Sequence, residues 1–255
     1  MGRTVDQYLL AAYDHHNRAL QGYRCSLSNV DSETCHAIFG CACLLFITSF
    51  SRPSKNPFPL NQPNITTGIG TWLDFQLSEW TILIKGLPSI VYHSELLPIL
   101  RQGPMSPLMT AGDNPHGEDN QDHERNFVAF SRLRDLSEAI GKQSNDRHII
   151  DVCQSSISVL REVIEELPQN HDTVLAFTWP MKVNPDYLVL LENKAPETLL
   201  VFAYYCALLH LMSSRWFTKS WPRSILESIR EIIEEKWAWL LKWPMETVLG
   251  GQMLS

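Results

Sequence analysis

The chain has 255 residues, of which 44% are hydrophobic and 19% charged, with a formal net charge of −7. This composition supports a buried core and lacks the polar excess of a disordered chain, and an acidic balance without runs of Lys or Arg argues against direct nucleic-acid binding, which needs clustered cations to displace phosphate counterions. Met1 to Tyr8 shows no secretory pattern, and the longest apolar stretches, Ala37 to Phe50 and Leu199 to Met212, fall short of the roughly 20 residues that cross a bilayer, so no integral membrane span is expected.

Thr4 to Leu27 opens the chain with a helical stripe at positions 5, 8, 9, 12, 13, 16, 19, 20, 23 and 27. Within it, Asp14-His15-His16-Asn17-Arg18 sets His15 and His16 on different sides of the helix, which reads as a solvated face. A second helix begins after Asp31 or Ser32 and runs to about Phe50. It is apolar on nearly every side and is therefore central to a core. Ser51 to Gly70 holds prolines at 53, 57, 59 and 63 and reads as a long loop. Thr71 opens a third helix, which Pro88 should kink or interrupt. A short helix follows around Ser94 to Arg101. Residues 111–123 are polar, acidic and glycine-containing, a mobile surface loop.

Helices are expected next at about Glu124 to Lys142 and Asp146 to Leu167. Pro180 and Pro185 frame a brief irregular link. The stretch ETLLVFAYYCALLHLM, Glu197 to Met212, is a helix with Pro196 in its first turn, where a missing N–H costs little. A last helix starts near Ser220 to Pro222 and reaches Trp243, where Pro244 stops it. No alternating pattern is long enough for a sheet. The expected fold is all-α: one domain over residues 1–255, a bundle of about eight helices with a hydrophobic central pocket.

Several chemistries lack the residues to run them. No carboxylate cluster of DDxxD type is present to hold magnesium against a diphosphate, and Asp146 and Asp151 lie about 140° apart on a helix. There is no GxxxxGK[ST] or GxGxxG cradle, no GxSxG elbow and no HExxH helix, so no cofactor and no metal site is expected. Cys41 and Cys43 point about 200° apart and cannot both ligate one ion from an intact helix. Most of the six cysteines sit in apolar helical patterns, as buried free thiols do, which fits a reducing cytoplasm or a nucleus.

What remains is aromatic and apolar. His210 lies among Leu208, Leu209, Leu211 and Met212 and needs a partner if buried. Tyr204 and Tyr205 cannot face the same neighbour, so one belongs to the core and the other offers its hydroxyl to a groove or ligand. The eight tryptophans fill a core, or a dimer or domain contact, or else line a cavity shaped for a rigid hydrocarbon. Trp237 and Trp239 diverge on a helix, whereas Trp239 and Trp243 share a face.

Three segments carry a resemblance. Tyr13 to Leu27 (YDHHNRALQGYRCSL), Trp80 to Leu97 (WTILIKGLPSIVYHSELL) and Pro196 to Met245 (PETLLVFAYYCALLHLMSSRWFTKSWPRSILESIREIIEEKWAWLLKWPM) resemble the C-terminal regulatory domain of fungal zinc-cluster transcription factors, nearest to the sterol-uptake-control branch. The resemblance implies a helical domain that binds a sterol-like guest. With no six-cysteine cluster in the chain, it implies a ligand-binding domain without its own DNA-binding module. Two functions follow as expectations. One is a stand-alone binder of a hydrophobic polycyclic or polyene molecule that acts as a cofactor-free, Diels–Alder-type cyclase in fungal natural-product biosynthesis, by orientation alone or with one polarising donor. The other is a lipid-sensing regulator or co-regulator, nuclear if so, that pairs with a full-length factor. The residues assigned are His210 and Tyr204 as catalytic donors, with Phe39, Cys43, Phe46, Trp72, Trp80, Tyr205 and Trp216 against the guest. A homodimer is compatible with either reading.

Overall fold

The stripe at the head of the chain forms helix α1, Val5–Ser26, in the computed structural model, which describes residues 5–50, 72–91, 95–104, 106, 120–166, 178–212 and 220–250. The fold is all-α, and among the described residues no strand forms. The expected loop at 51–70 lies outside the described residues, as do 111–119. Chain contacts group into two compact units, Met1–Thr110 and Ala111–Ser255.

In the first unit, α2 (Cys35–Phe50) is started by Asp31. One carboxylate oxygen of Asp31 accepts the backbone N–H of Thr34 at 2.8 Å and of Glu33 at 3.0 Å, and the Thr34 hydroxyl at 2.8 Å. These bonds, led by the Thr34 hydroxyl, hold the Asp31 carboxyl below its usual range. α2 packs against α1 and against α3, Trp72–Val91. α3 buries Leu73, Leu77, Trp80, Leu83, Ile84 and Ile90. It continues through Pro88 without interruption, since so near the C-terminal end proline removes one hydrogen bond and little helix lies beyond it to disturb. α4, Leu96–Gln102, closes the unit against α2 and α3.

The fit of α1 on α3 rests on a glycine. A Cβ at Gly86 would collide with the Tyr23 hydroxyl and stand 2.8 Å from Leu27 Cδ1. Tyr23 is buried, so its ring has no room to retreat. Helix propensity favours Gly86→Ala by roughly 1 kcal/mol, whereas overpacking opposes it by about 1–3 kcal/mol. We expect a net loss in denaturant unfolding, relieved in the Tyr23→Phe/Gly86→Ala double variant. A double variant no better than Gly86→Ala would contradict this packing.

In the second unit, α5 (Asn120–Gln143) lies against α6 (Arg147–Glu166). α5 begins before the expected Glu124, because Asn120 and Asp122 suit a first turn, where the helix dipole favours acidic groups. The irregular link expected around Pro180 and Pro185 is instead two helices, α7 (Trp179–Lys182) and α8 (Pro185–Glu192). Each proline sits in a first turn, where it has no helical N–H to lose. The Asn184 side chain caps α8 by accepting the Asp186 N–H at 2.9 Å.

α9, Pro196–Met212, is the axis of this unit: α5, α6, α8, α10 and α12 all contact it. Every residue from Leu199 to Leu209 is buried. A helix surrounded by others needs no polar face, which accounts for its unbroken apolar run. No described helix is long and apolar enough to cross a membrane.

The long last helix expected to reach Trp243 is divided. α10, Trp221–Ile232, ends where Ile233 turns extended; α11, Glu235–Ala238, and a tight turn at Trp239–Leu241 lead into α12, Lys242–Leu249. An unbroken helix would have stacked Glu231 on Glu235 one turn apart, a like-charge pair. Pro244 does not stop a helix here but occupies the first turn of α12. The chain leaves α12 at Gly250, in the left-handed conformation that glycine adopts without strain.

Candidate functional site

Buried polar side chains gather on one helix of the first unit. Within the apolar α3, Gln76 and Glu79 are each 3% exposed and Thr81 is fully buried. The spacing of Gln76 and Glu79 puts them on one face. Across it stands His16 of α1, whose Nε2 meets the Glu79 carboxylate in a short hydrogen bond. The two side chains are 9% and 3% exposed. On the other edge of the ring, Nδ1 lies 3.1 Å from the hydroxyl of Thr48 on α2. Three helices therefore contribute one member each to a chain of carboxylate, imidazole and hydroxyl.

This corrects the reading of His15 and His16 as a solvated face. His15 is exposed, but His16 is turned into the helix contact. A buried carboxylate is tolerated only with a charged or hydrogen-bonding partner, and the imidazole is that partner. With its proton on Nε2 the ring donates to Glu79, leaving Nδ1 to accept from Thr48. Thr48 is exposed, so this hydroxyl is the end of the chain that solvent or a ligand meets.

The residues assigned to a guest divide between the units. Phe39, Cys43 and Phe46 follow one another along one side of α2, and Trp80 is buried on α3 of the same unit. Phe46 meets Phe50 edge to face at 4.8 Å. Cys43 is half-buried, and burial pushes its thiol up to about 11. The phenol of Tyr23 is close enough to feel Cys41 and Cys43, and burial first, then those two thiols, pushes it above its ordinary range. Among the described residues the Tyr23 hydroxyl has no hydrogen-bond partner, nor does that of Thr81. The side chain of Trp72 and the whole of Trp216 lie outside the described residues.

Tyr204, Tyr205 and His210 all lie on α9 in the second unit. The two tyrosines face different neighbours, as adjacent helix positions must, and both are buried. Tyr204 tilts against Trp243 at 5.1 Å, and burial raises its phenol. Tyr205 stacks on Trp179 at 4.5 Å and on Phe202 at 6.0 Å, while Phe202 meets Trp221 edge-on at 5.7 Å. His210 is half-buried in the last turn of its helix. Trp237 is buried and Trp239 is 56% exposed, so these two diverge. Trp239 and Trp243 are separated by the turn at Trp239–Leu241, and only Trp243 leans on Tyr204.

Sequence reasoning missed Glu79 and gave His16 the wrong surroundings. Both had a signal. Position 16 falls on the apolar stripe of α1, and Gln76 and Glu79 fall at helical spacing inside an otherwise apolar helix. Among the described residues, no group of three or more His, Cys, Asp or Glu side chains is placed to hold a metal ion. The chain matches no protein-family model, no curated protein and no solved structure.

Proposed function

We propose that the protein binds a hydrophobic polycyclic or polyene small molecule and turns it over as a cofactor-free cyclase of Diels–Alder type. The observation that carries this reading is the Tyr23 hydroxyl, buried with no partner among the described residues. A buried hydroxyl left unpaired costs about 1–3 kcal/mol, and a guest carrying a carbonyl or hydroxyl would remove that cost. Phe39, Cys43 and Phe46 on one side of α2 supply apolar surface for the rest of such a guest. The likeness of three segments to the sterol-binding branch of fungal regulatory domains supports a lipid-like occupant.

A donor hydrogen-bonded to a dienophile carbonyl draws off the electron density that builds there as the ring closes, and a fixed diene geometry removes orientational entropy from the barrier. Tyr23 is such a donor in the first unit. Tyr204 and His210 are the donors proposed in the second.

The test incubates purified protein with a fluorescent linear polyene and then with a diene–carbonyl terpenoid, following binding and product stereochemistry against a buffer control. We expect saturable binding, weakened about 2- to 10-fold by Tyr23→Phe, the worth of one hydrogen bond, and an isomer ratio that departs from buffer. Binding with buffer-like rates and ratios would replace the cyclase by the lipid-sensing regulator. No saturable binding would end both readings.

A further inference from the structure

We propose that Thr48, His16 and Glu79 form a nucleophile, base and orienting group that accept an acyl group from an activated ester onto the Thr48 hydroxyl. A weak hydroxyl nucleophile is activated when a base stands within hydrogen-bond reach and a third group fixes that base. Both conditions hold on this face. The Thr48 hydroxyl is 3.1 Å from Nδ1 of His16, and Nε2 of the same ring is held by the buried Glu79 carboxylate.

The three helices divide the work. Glu79 is locked in α3 and cannot be reached from solvent. It is a positioning residue, setting the tautomer in which Nδ1 carries a free lone pair. In the resting state both ring nitrogens of His16 are engaged, so a substrate first meets the set at Thr48, the exposed member, and reaches Nδ1 once that hydroxyl has been acylated. The Thr48 hydroxyl has one proton and two acceptors in range, Nδ1 and the Leu45 carbonyl at 2.9 Å. The contact with Leu45 fixes the side-chain rotamer. Turning the hydroxyl proton from the Leu45 carbonyl to Nδ1 pairs the oxygen with its base without moving either heavy atom. The exposed hydroxyl of Thr34 is a contrast, being bound to the Asp31 carboxylate and not to an imidazole.

The step balances within the site and its substrate. The Thr48 oxygen forms a bond to the acyl carbon while its proton passes to Nδ1. The ester C–O bond breaks, and the proton on Nδ1 goes to the leaving alkoxide, which departs as an alcohol. Water then cleaves the threonyl ester by the reverse path, giving the free acid. This activity is independent of the cyclase reading, because it needs neither Tyr23 nor a bound polyene.

The probe is p-nitrophenyl acetate on the full chain near neutral pH, with acetylated peptides located by mass spectrometry. We expect acetyl on Thr48 at least about tenfold above Thr34, given that a positioned base contributes about 10²- to 10⁴-fold. Thr48→Val abolishes the label at that site and Thr48→Ser keeps it; both changes are at an exposed position and leave the fold intact. His16→Gln slows Thr48 acetylation by the base's contribution. Glu79→Gln slows it as well, and Glu79→Asp restores part of the rate. Acetylation of Thr48 no faster than that of Thr34 in the wild-type protein would overturn the proposal, even if the buried variants failed to fold. So would a His16→Gln protein that folds and labels at the wild-type rate.

Discussion

A Glu79→Leu protein is expected to lose about 3–5 kcal/mol of stability, because removing one partner of a buried pair leaves the other uncompensated. Leucine has nearly the volume of glutamate, so the change opens little space. The loss comes from His16, whose Nε2 would lose the buried carboxylate that accepts from it. The His16→Leu/Glu79→Leu double variant is expected to recover most of it, since two apolar side chains of similar size remove both desolvation costs at once. Urea midpoints at unchanged m-value give the comparison. If the double variant proves as unstable as Glu79→Leu, or Glu79→Leu falls less than about 1 kcal/mol below wild type, the pair is not the buried contact described above.

The second large effect belongs to the other unit. Trp179 is fully buried at the start of α7, stacked on Tyr205 of α9 and edge-on to Tyr187 of α8 at 5.5 Å. Its indole N–H donates to the Ser156 carbonyl of α6 at 2.9 Å. One side chain thus joins four helices. Trp179→Ala is expected to cost about 3–5 kcal/mol through lost apolar burial and the cavity left behind. Trp179→Phe keeps much of the stack but removes the indole's hydrogen bond to the Ser156 carbonyl, which still accepts within its own helix, and should fall between Trp179→Ala and wild type, about 0.5–1.5 kcal/mol below the latter. Thermal unfolding followed by circular dichroism gives the order. A Trp179→Ala protein as stable as Trp179→Phe would show that the ring stack contributes little.

The residues differ in how openly they announced these roles. α9 was legible to the residue, since Pro196 marks its first turn and the residues from there to Met212 show no polar face. α2 was legible through Asp31, whose side chain caps its first turn in the expected place. The prolines at 180, 185 and 244 misled, because proline breaks a helix interior yet suits a first turn. Which role it plays depends on whether the chain before it has already turned. Tyr204 and Tyr205 were legible as a diverging pair; that both are buried follows from α9 having neighbours on every side, which its own sequence cannot number.

The sequence by itself determined what depends on near neighbours: the helical periodicity, the all-α class, the absence of a bilayer-length span among the described helices, and the apolar character of α9. Only the tertiary structure decided the rest. His16, Thr48 and Glu79 are 32 and 63 positions distant by the two hydrogen bonds that join them, and nothing local to any of the three distinguishes a paired side chain from a solvated one. Helix periodicity fixes which face a residue occupies. The partner opposite that face is chosen by the packing of helices far apart in the chain, and a buried charge is tolerable or costly only once that choice has been made.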